Sequence, residues 1–348
     1  MDHGPWRVRV GRLEALAAPM RKIPAGPLRL LAAAAAACFA HAAVAAQPVD
    51  TYPAKPIRLI VPQPPNGTVD MLARMVAQKL AEVLRQQVVV DNRGGASGTI
   101  GSDMVAKAPA DGYTLLMTMT SHTTTPSMYS KLPYDAIKDF APISMVTSAA
   151  LVLVVHPSLP VHNIKELVAY AKTRSGQLNF TSAALGSGGH LGGELLKNMT
   201  GMAATHVPYR GTGPALIALM SNEVQFMIAG LLPAMAQVKV NRLRAIAVTS
   251  AKRSSFIPEL PTVAEQGFPG FEVVGWYGAL APAGTSPAVV NKLHAEIVKI
   301  LAQPEIKDRI AGEGAEVVGS TPAEFTAFLK ADIARWAPLI KQSGAKLD

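Results

Sequence analysis

Three loops carry residues whose types and spacing suit the capture of an anion. The first runs from Gln63 to Asp70 and reads QPPNGTVD. Pro62, Pro64 and Pro65 stiffen it, and Asn66-Gly67 permits a positive φ. Successive N–H groups up to Thr68 can therefore converge on a negative charge where a helix begins. Asp70 would cap or neutralise that helix start. The bland alternative is an ordinary strand-to-helix turn. The second loop is Gly186-Ser187-Gly188-Gly189-His190, where glycines allow close backbone approach and Ser187 can cap and donate. It superficially resembles a dinucleotide fingerprint, but its third glycine falls one place late, at Gly192. In addition, no acidic residue about twenty positions on ends a second strand, which argues against a nucleotide. The third is His206-Val207-Pro208-Tyr209-Arg210-Gly211, in which the Arg210 guanidinium could bind both oxygens of a carboxylate. A surface or interlobe salt bridge is the alternative role for Arg210. Thr120-Ser121-His122 adds a fourth, weaker polar edge.

None of these loops is equipped to transform what it holds. The chain has no G-x-S-x-G elbow and no H-E-x-x-H. His122, His156, His162, His190, His206 and His294 show no metal-ligand spacing, and acidic residues do not cluster around them. His190 and Ser187 could be imagined as a base and a nucleophile, yet no carboxylate is placed to orient the ring. The expectation is no catalytic residue, no metal and no cofactor.

The elements that position these loops follow from strand-helix alternation. Ile57 to Val61 is a continuous apolar run, as in a strand buried on both faces. A helix from Asp70 carries Leu72, Met75, Val76, Leu80, Val83 and Leu84 on one stripe. Strand Val88 to Val90, the Gly-rich RGGASGTIG, a helix from Ile100 to Ala108 and strand Tyr113 to Met119 complete a first unit. A second unit follows Pro142, with strands at Leu151 to Val155, Leu178 to Thr181, Val224 to Ile228 and Arg244 to Val248. Its helices are expected at Ile164 to Lys172, after the second loop, at Pro214 to Met220 and near Pro233 to Val240. Helices at Pro287 to Ala302, Pro304 to Gly312 and Pro322 to Leu339 close the chain. Alternation of this kind predicts parallel sheets covered by helices. Extended segments at Ile143 to Val155 and Phe271 to Ala281 suggest two lobes joined by crossing strands. In open sheets of this class, ligands sit beyond the carboxyl ends of the strands, where all of these loops fall.

Length and composition agree. The chain has 348 residues, which favours two lobes. It is 49% hydrophobic and 16% charged, against a usual charged share of about 25%. Arg21 and Lys22, the apolar stretch Leu28 to Ala40 and Val44-Ala45-Ala46 have the layout of a secretory signal over residues 1–46, with Met20 read as the true start. A retained anchor is the alternative, although the stretch is short for a bilayer. Cys38, the only cysteine, lies inside that signal, where lipid attachment is a further alternative. The chain from Gln47 has no cysteine, which excludes thiol nucleophiles, disulfides and cysteine metal sites. Residues 1–46 hold six Lys/Arg and two Asp/Glu, leaving 27 basic against 22 acidic residues, a net of +5. These charges are scattered, with no basic-aromatic interleaving, so a nucleic-acid partner is not expected. The mild positive field suits small anions.

The order of motifs closely resembles the Bug-type (TctC-like) substrate-binding receptors of tripartite tricarboxylate transporters. The motifs are YPAKPIRLIVP at Tyr52 to Pro62, VVVDNRGGASGTIG at Val88 to Gly101 and DGYTLL at Asp111 to Leu116. KLPYDAIKDFAPIS at Lys131 to Ser144, HLGGEL at His190 to Leu195 and HVPYRGTGPAL at His206 to Leu216 follow. LRAIAVTSAKRS at Leu243 to Ser254, PTVAEQGFPGFE at Pro261 to Glu272 and APAGTSP at Ala281 to Pro287 complete the set. The match is collinear over residues 50–348. It implies a type II periplasmic-binding fold with lobe 1 over 47–147, lobe 2 over 148–271 and a return to lobe 1 with the C-terminal helices over 272–348. It also implies a monomer in the periplasm, a small di-, tri- or aromatic carboxylate as ligand, and a membrane permease pair as partner. Carried over by position, Gln63 to Thr68 (with Pro65, Asn66 and Gly67), Ser121-His122 and Gly186 to His190 (with Ser187 and Gly188) line the cleft, with Tyr209-Arg210 nearby.

Several positions depart from the family pattern. Gln63 and Asn66 replace a common Phe and Gly, Leu185 a common Asn, Gly189 a common Ser, and Gln225 a frequent Asp. The loss of an acid at Gln225 and a polar group at Leu185 predicts an acid without an α-ammonium, with an apolar or aromatic body. If position 225 instead points into the second lobe's core, it serves only the fold. A sensor that presents its loaded form to a signalling partner, and an enzyme on a related fold, are the competing functions.

Overall fold

The computed structural model describes residues 51–347 except Asn66, Ser175 and Arg210, together with Met1. The export segment expected over residues 1–46, its start at Met20 and Cys38 lie outside the described residues, as do Asn66 and Arg210.

The first unit forms as its patterning dictates. The run Ile57–Val61 is β1, followed by α1 (Thr68–Leu84), β2 (Val88–Asn92), α2 (Thr99–Ala106), β3 (Thr114–Met119) and a single helical turn, α3 (Ser121–Thr124). On α1, Leu72, Met75, Val76 and Leu80 are buried against the sheet, whereas Val83 stands exposed, and the helix ends at Arg85 in a left-handed conformation. The second unit comprises β4 (Phe140–Val155), α4 (Ile164–Thr173), β5 (Asn179–Ser182), α5 (Gly188–Thr200), β6 (Thr205–Pro208), α6 (Thr212–Met220), β7 (Phe226–Gly230), α7 (Leu231–Lys239) and β8 (Arg244–Val248). The chain then returns through β9 (Val274–Pro282) to α8 (Pro287–Leu301), α9 (Pro304–Gly312), β10 (Ala315–Val317) and α10 (Pro322–Ser343).

One strand makes both lobes. In its first part β4 pairs antiparallel with β9, ending at Ala150 opposite Val274. From Leu151 onward it pairs with β7, Leu151 lying opposite Gly230, and with β8. The strands away from these crossings are parallel: β1 with β2 and β3, and β5 with β6 and β7. The sheets are therefore parallel where helices connect the strands and antiparallel where the crossing strands join them. Within β4, Leu153 and Val155 enter one apolar core while Val152 and Val154 enter another. That period-two alternation with apolar residues on both sides marks a sheet covered on both faces.

The C-terminal helix has two anchors. Phe325 and Leu329 pack in the first lobe with Ile60, Leu116 and Leu280. About two to three turns after Leu329, Trp336 and Ile340 join the second lobe's core with Phe180, Leu191 and Phe226. Its start is fixed by a capping box between Thr321 and Glu324. Among the described residues, no helix is long and apolar enough to cross a membrane.

Candidate functional site

A cleft of about 510 Å³ opens between the two sheets. Its floor is made by the crossing strands, from Ala149 to Leu151 on β4 and Gly275 to Tyr277 on β9. The first lobe contributes Gln63, Thr68, Ser97, Thr120, Ser121 and, at the rim, Glu313. The second contributes the segment Ala183 to Gly189, Thr212, and the end of β7 running into α7.

The loop after β1 is braced by side chains that point away from the cleft. Asp70 is buried, and its two carboxylate oxygens accept from Arg74 Nε at 3.0 Å and from Asn92 Nδ2 at 2.9 Å. Asn92 Nδ2 also donates to the Gln63 carbonyl at 3.1 Å. This bracket joins the end of β2 to the start of α1. The N-cap of α1 is Gly67, which has no side chain to cap the helix, and the helix start at Thr68 opens on the cleft. Next to it, Ala96 and Ser97 both adopt positive φ, at 46° and 55°, and Ser97 reaches the cleft. Two consecutive non-glycine residues in the left-handed region are costly, and such strain concentrates at ligand sites.

The Gly-rich loop of the second lobe is held differently. Ser187 is the N-cap of α5, accepting from His190 N at 3.4 Å and donating to the Ala184 carbonyl at 2.7 Å. A Cβ at Gly189 would lie 2.3 Å from the carbonyl oxygen of Ile228, so only glycine lets α5 approach β7 this closely. His190 is buried and its Nδ1 accepts from Gly186 N at 3.1 Å, which places the ring proton on Nε2. The ring stacks on His206 at 4.1 Å, and His206 Nε2 pairs with Ser182 Oγ at 2.8 Å. Burial lowers His190 to about 4 and His206 to about 3, with the nearby Lys197 charge adding to both and His190 adding to His206. At neutral pH both rings are uncharged.

The structure gathers Gln63, Thr68, Ser121, Gly186, Ser187 and Gly188 around the cleft. Pro65 and Gly67 are exposed beside Thr68 without lining it. His122 is buried behind the turn that carries Ser121. Its Nε2 lies 2.9 Å from the Ala136 carbonyl, its ring is edge-on to Phe140, and burial lowers it to about 4. Tyr209 donates its hydroxyl to Glu223 Oε2 at 3.0 Å on the outer side of the second lobe. Gln225 stands just before β7, at the end of that strand away from the cleft, where its Oε1 accepts from Asn179 N at 2.8 Å. Position 225 therefore serves the strand pairing of the second lobe. Among cleft residues that the sequence did not assign to the site, Ser97, Thr212 and Leu231 each follow the carboxyl end of a strand, so the strand-end rule could have found them. Trp276, Tyr277 and Glu313 gave no local signal.

The chemistry of the cleft is that of a neutral donor cage with an apolar wall. Among its described lining residues, Glu313 is the one charged side chain. Helix N-termini of α1, α5, α6 and α7 open onto it, together with the hydroxyls of Thr68, Ser97 and Ser121. Oriented N–H groups of this kind stabilise an anion without a counter-cation. Leu151, Leu185, Met227, Leu231 and Leu232 supply apolar surface opposite. Tyr277 sits between Thr68 and Glu313, its hydroxyl pKa raised chiefly by burial. Ser187 has its hydroxyl committed to a carbonyl and no base beside it, so nothing here activates a nucleophile.

Comparison with known proteins gives a consistent picture. Residues 72–345 match the tripartite tricarboxylate transporter family receptor model. Protein BugT of Bordetella pertussis is 40% identical over 300 residues, covering 86% of this chain and 92% of that protein. The structure of Rpa4515 of R. palustris with adipate is 37% identical with a TM-score of 0.74, over 84% of this chain and 98% of that one. MatC of Rhodopseudomonas palustris with bound malate is 30% identical with a TM-score of 0.71, over 83% of this chain and all of that one, 100%.

Proposed function

The chain belongs to the tripartite tricarboxylate transporter receptor family, whose members bind solutes and do not transform them, and we propose that it holds a small organic carboxylate in its interlobe cleft for delivery to a membrane permease pair. The observation that carries this reading is the convergence of helix N-termini and hydroxyls from both lobes on one cleft. Relatives with bound adipate and malate support the same ligand chemistry. The protein acts as a monomer in the periplasm after cleavage behind Ala46, with lobe 1 over 47–147 and 272–348 and lobe 2 over 148–271. One carboxylate sits against Thr68, Ser97, Ser121 and the Gly186 to Gly188 loop, and its body lies along the apolar wall. Leu185 in that wall supports an acid without an α-ammonium, whereas Gln225 no longer contributes to that choice.

Thermal unfolding in the presence of adipate, L-malate, succinate, benzoate and glucose tests the reading. At a hundredfold excess over Kd the bound form gains about 2.7 kcal/mol, or roughly 5 °C in Tm. At least one acid should produce that shift and glucose none. Stabilisation by glucose and by no acid would overturn the assignment.

A further inference from the structure

Behind the cleft, one buried carboxylate collects donors from three parts of the molecule. Asp332 lies midway along α10 and is 8% exposed. Its Oδ2 accepts from Thr123 Oγ1 at 2.6 Å and from Trp276 Nε1 at 3.2 Å, and its Oδ1 accepts from Trp336 Nε1 at 2.8 Å. Thr123 shares a single helical turn with the cleft residue Ser121, and Trp276 belongs to the cleft floor. Trp336 does not line the cleft and packs instead in the second lobe's core. The Trp276 ring is also gripped edge-on by Phe325 and Phe328 of the same helix, at 5.6 and 5.7 Å.

Well-packed apolar residues would join a helix to this core without the desolvation cost of a carboxylate. A carboxylate does what they cannot, because its two oxygens fix three donors in direction as well as distance. We propose that Asp332 is a positioning residue of the binding cleft, holding Trp276 and the Ser121 turn in place against the ligand and tying both to the helix anchored in the two lobes. This rests on the reading of the cleft as the ligand site.

Asparagine at this position separates the role from mere packing. With its one oxygen turned to Thr123 and Trp276, its NH2 group faces the Trp336 indole N–H, donor against donor. Trp336→Phe removes that conflict. In the chain from Gln47 onward, Trp276 and Trp336 are the only tryptophans, so two indole N–H resonances report on the two sides of Asp332. The titrant is whichever of adipate, L-malate, succinate and benzoate binds the parent protein most tightly.

Both indole resonances should shift on saturation of the parent. Asp332→Asn should bind at least about tenfold more weakly, as expected for loss of a hydrogen bond to a charged group, and its Trp336 resonance should stop responding. Adding Trp336→Phe to Asp332→Asn should restore affinity to within about threefold. The proposal is overturned if folded Asp332→Asn binds like the parent, if the double variant stays as weak as Asp332→Asn, or if Trp336 ignores ligand in the parent. Should Asp332→Asn not fold, Thr123→Val decides, since it removes one donor locally and should weaken binding severalfold at unchanged Tm; unchanged affinity overturns the proposal. Absence of acid binding by the parent would overturn the receptor reading, and this proposal with it.

Discussion

In the first lobe, the loop from Gln63 to Thr68 is held by a carboxylate, a guanidinium and a carboxamide, through Asp70, Arg74 and Asn92. In the second lobe, the Gly186 to Gly189 loop is held by an uncharged imidazole and by direct backbone packing. Both present a helix start to the same cleft, yet they fail in different ways. A side-chain bracket tolerates added volume, because its atoms sit behind the loop. A loop pressed onto a neighbouring strand tolerates none, and a brace that depends on a neutral histidine depends on pH.

The steric half of that contrast has the largest expected effect. Gly67 has open space around the position of a Cβ and an ordinary negative φ, so Gly67→Ala should cost under about 1 kcal/mol, the scale of an N-cap change. At Gly189 the added carbon would stand 2.3 Å from a backbone carbonyl, which cannot swing aside as a side chain can. Gly189→Ala should therefore destabilise by about 3 kcal/mol or more, within the range of severe overpacking. Urea unfolding of the two variants measures both. Equal losses would remove the distinction between the loops.

The second effect is that of acid. The folded-state values of about 4 for His122 and His190 and about 3 for His206 lie below the ordinary 6.5. The fold thus favours the neutral rings, and that stability is complete above about pH 6.5. As the pH falls below that value the unfolded chain takes up protons first, and stability is lost until the folded values are reached. At pH 5, a ring with a folded value of about 4 has lost about 2 kcal/mol of stabilisation relative to pH 7. His122→Gln and His190→Gln should each flatten the stability profile between pH 7 and 5. Only protonation at His190 also removes the acceptor of a cleft-loop amide, since Gly186 N donates to its Nδ1. Hydrogen-exchange protection at Gly186 should therefore fall toward pH 5 in the parent protein. If that protection is constant over this range, His190 does not brace the loop.

The same contrast marks what was legible in the sequence. Strong local signals survived contact with the structure: the apolar run of β1, the stripe of α1 and the extended segments that became the crossing strands β4 and β9. The loops also stand at strand ends, where glycines and hydroxyls have a local reason to be. In β6, His206-Val207-Pro208 lacks apolar alternation and carries the signal of a loop; as an edge strand it pairs only with β5, where a proline is tolerated. β10 is three residues long and exists only because β4 offers it a partner. The histidines look alike in sequence, and only tertiary packing turns His122 and His190 away from the cleft. Asp332 reads as a surface acid on an amphipathic helix until Trp276, 56 residues away in sequence, is brought against it.

A smaller effect concerns the rim. Glu313 is exposed, so its field in the cleft is weakened by solvent, and it acts on a second negative group more than on the first. Glu313→Gln should strengthen binding of a dicarboxylate such as adipate by about threefold, the scale of an exposed charge pair, and leave benzoate unchanged. Isothermal titration of both acids against both proteins measures the difference. A gain for benzoate equal to that for adipate would mean that Glu313 acts on the first carboxylate and not on the far end of the ligand.

The smallest expected effect is none, at Gln225. The family resemblance implies an acid at this position, which would pair with a ligand ammonium if it faced the cleft. Here the strand that follows runs from Phe226 to Gly230, and its far end, from Met227 to Gly230, lines the cleft. Position 225 is at the opposite end, where the backbone N–H donates to Asn179 O at 2.9 Å and the carboxamide spans Asn179 and Asn222. An aspartate there could still accept from Asn179 N, so the fold should survive Gln225→Asp with a change of under about 1 kcal/mol. The affinity ratio of succinate to L-aspartate should be the same in both proteins. A shift toward aspartate in the variant would place position 225 within reach of the ligand, and the assignment of the cleft to the carboxyl ends of the strands would then be wrong.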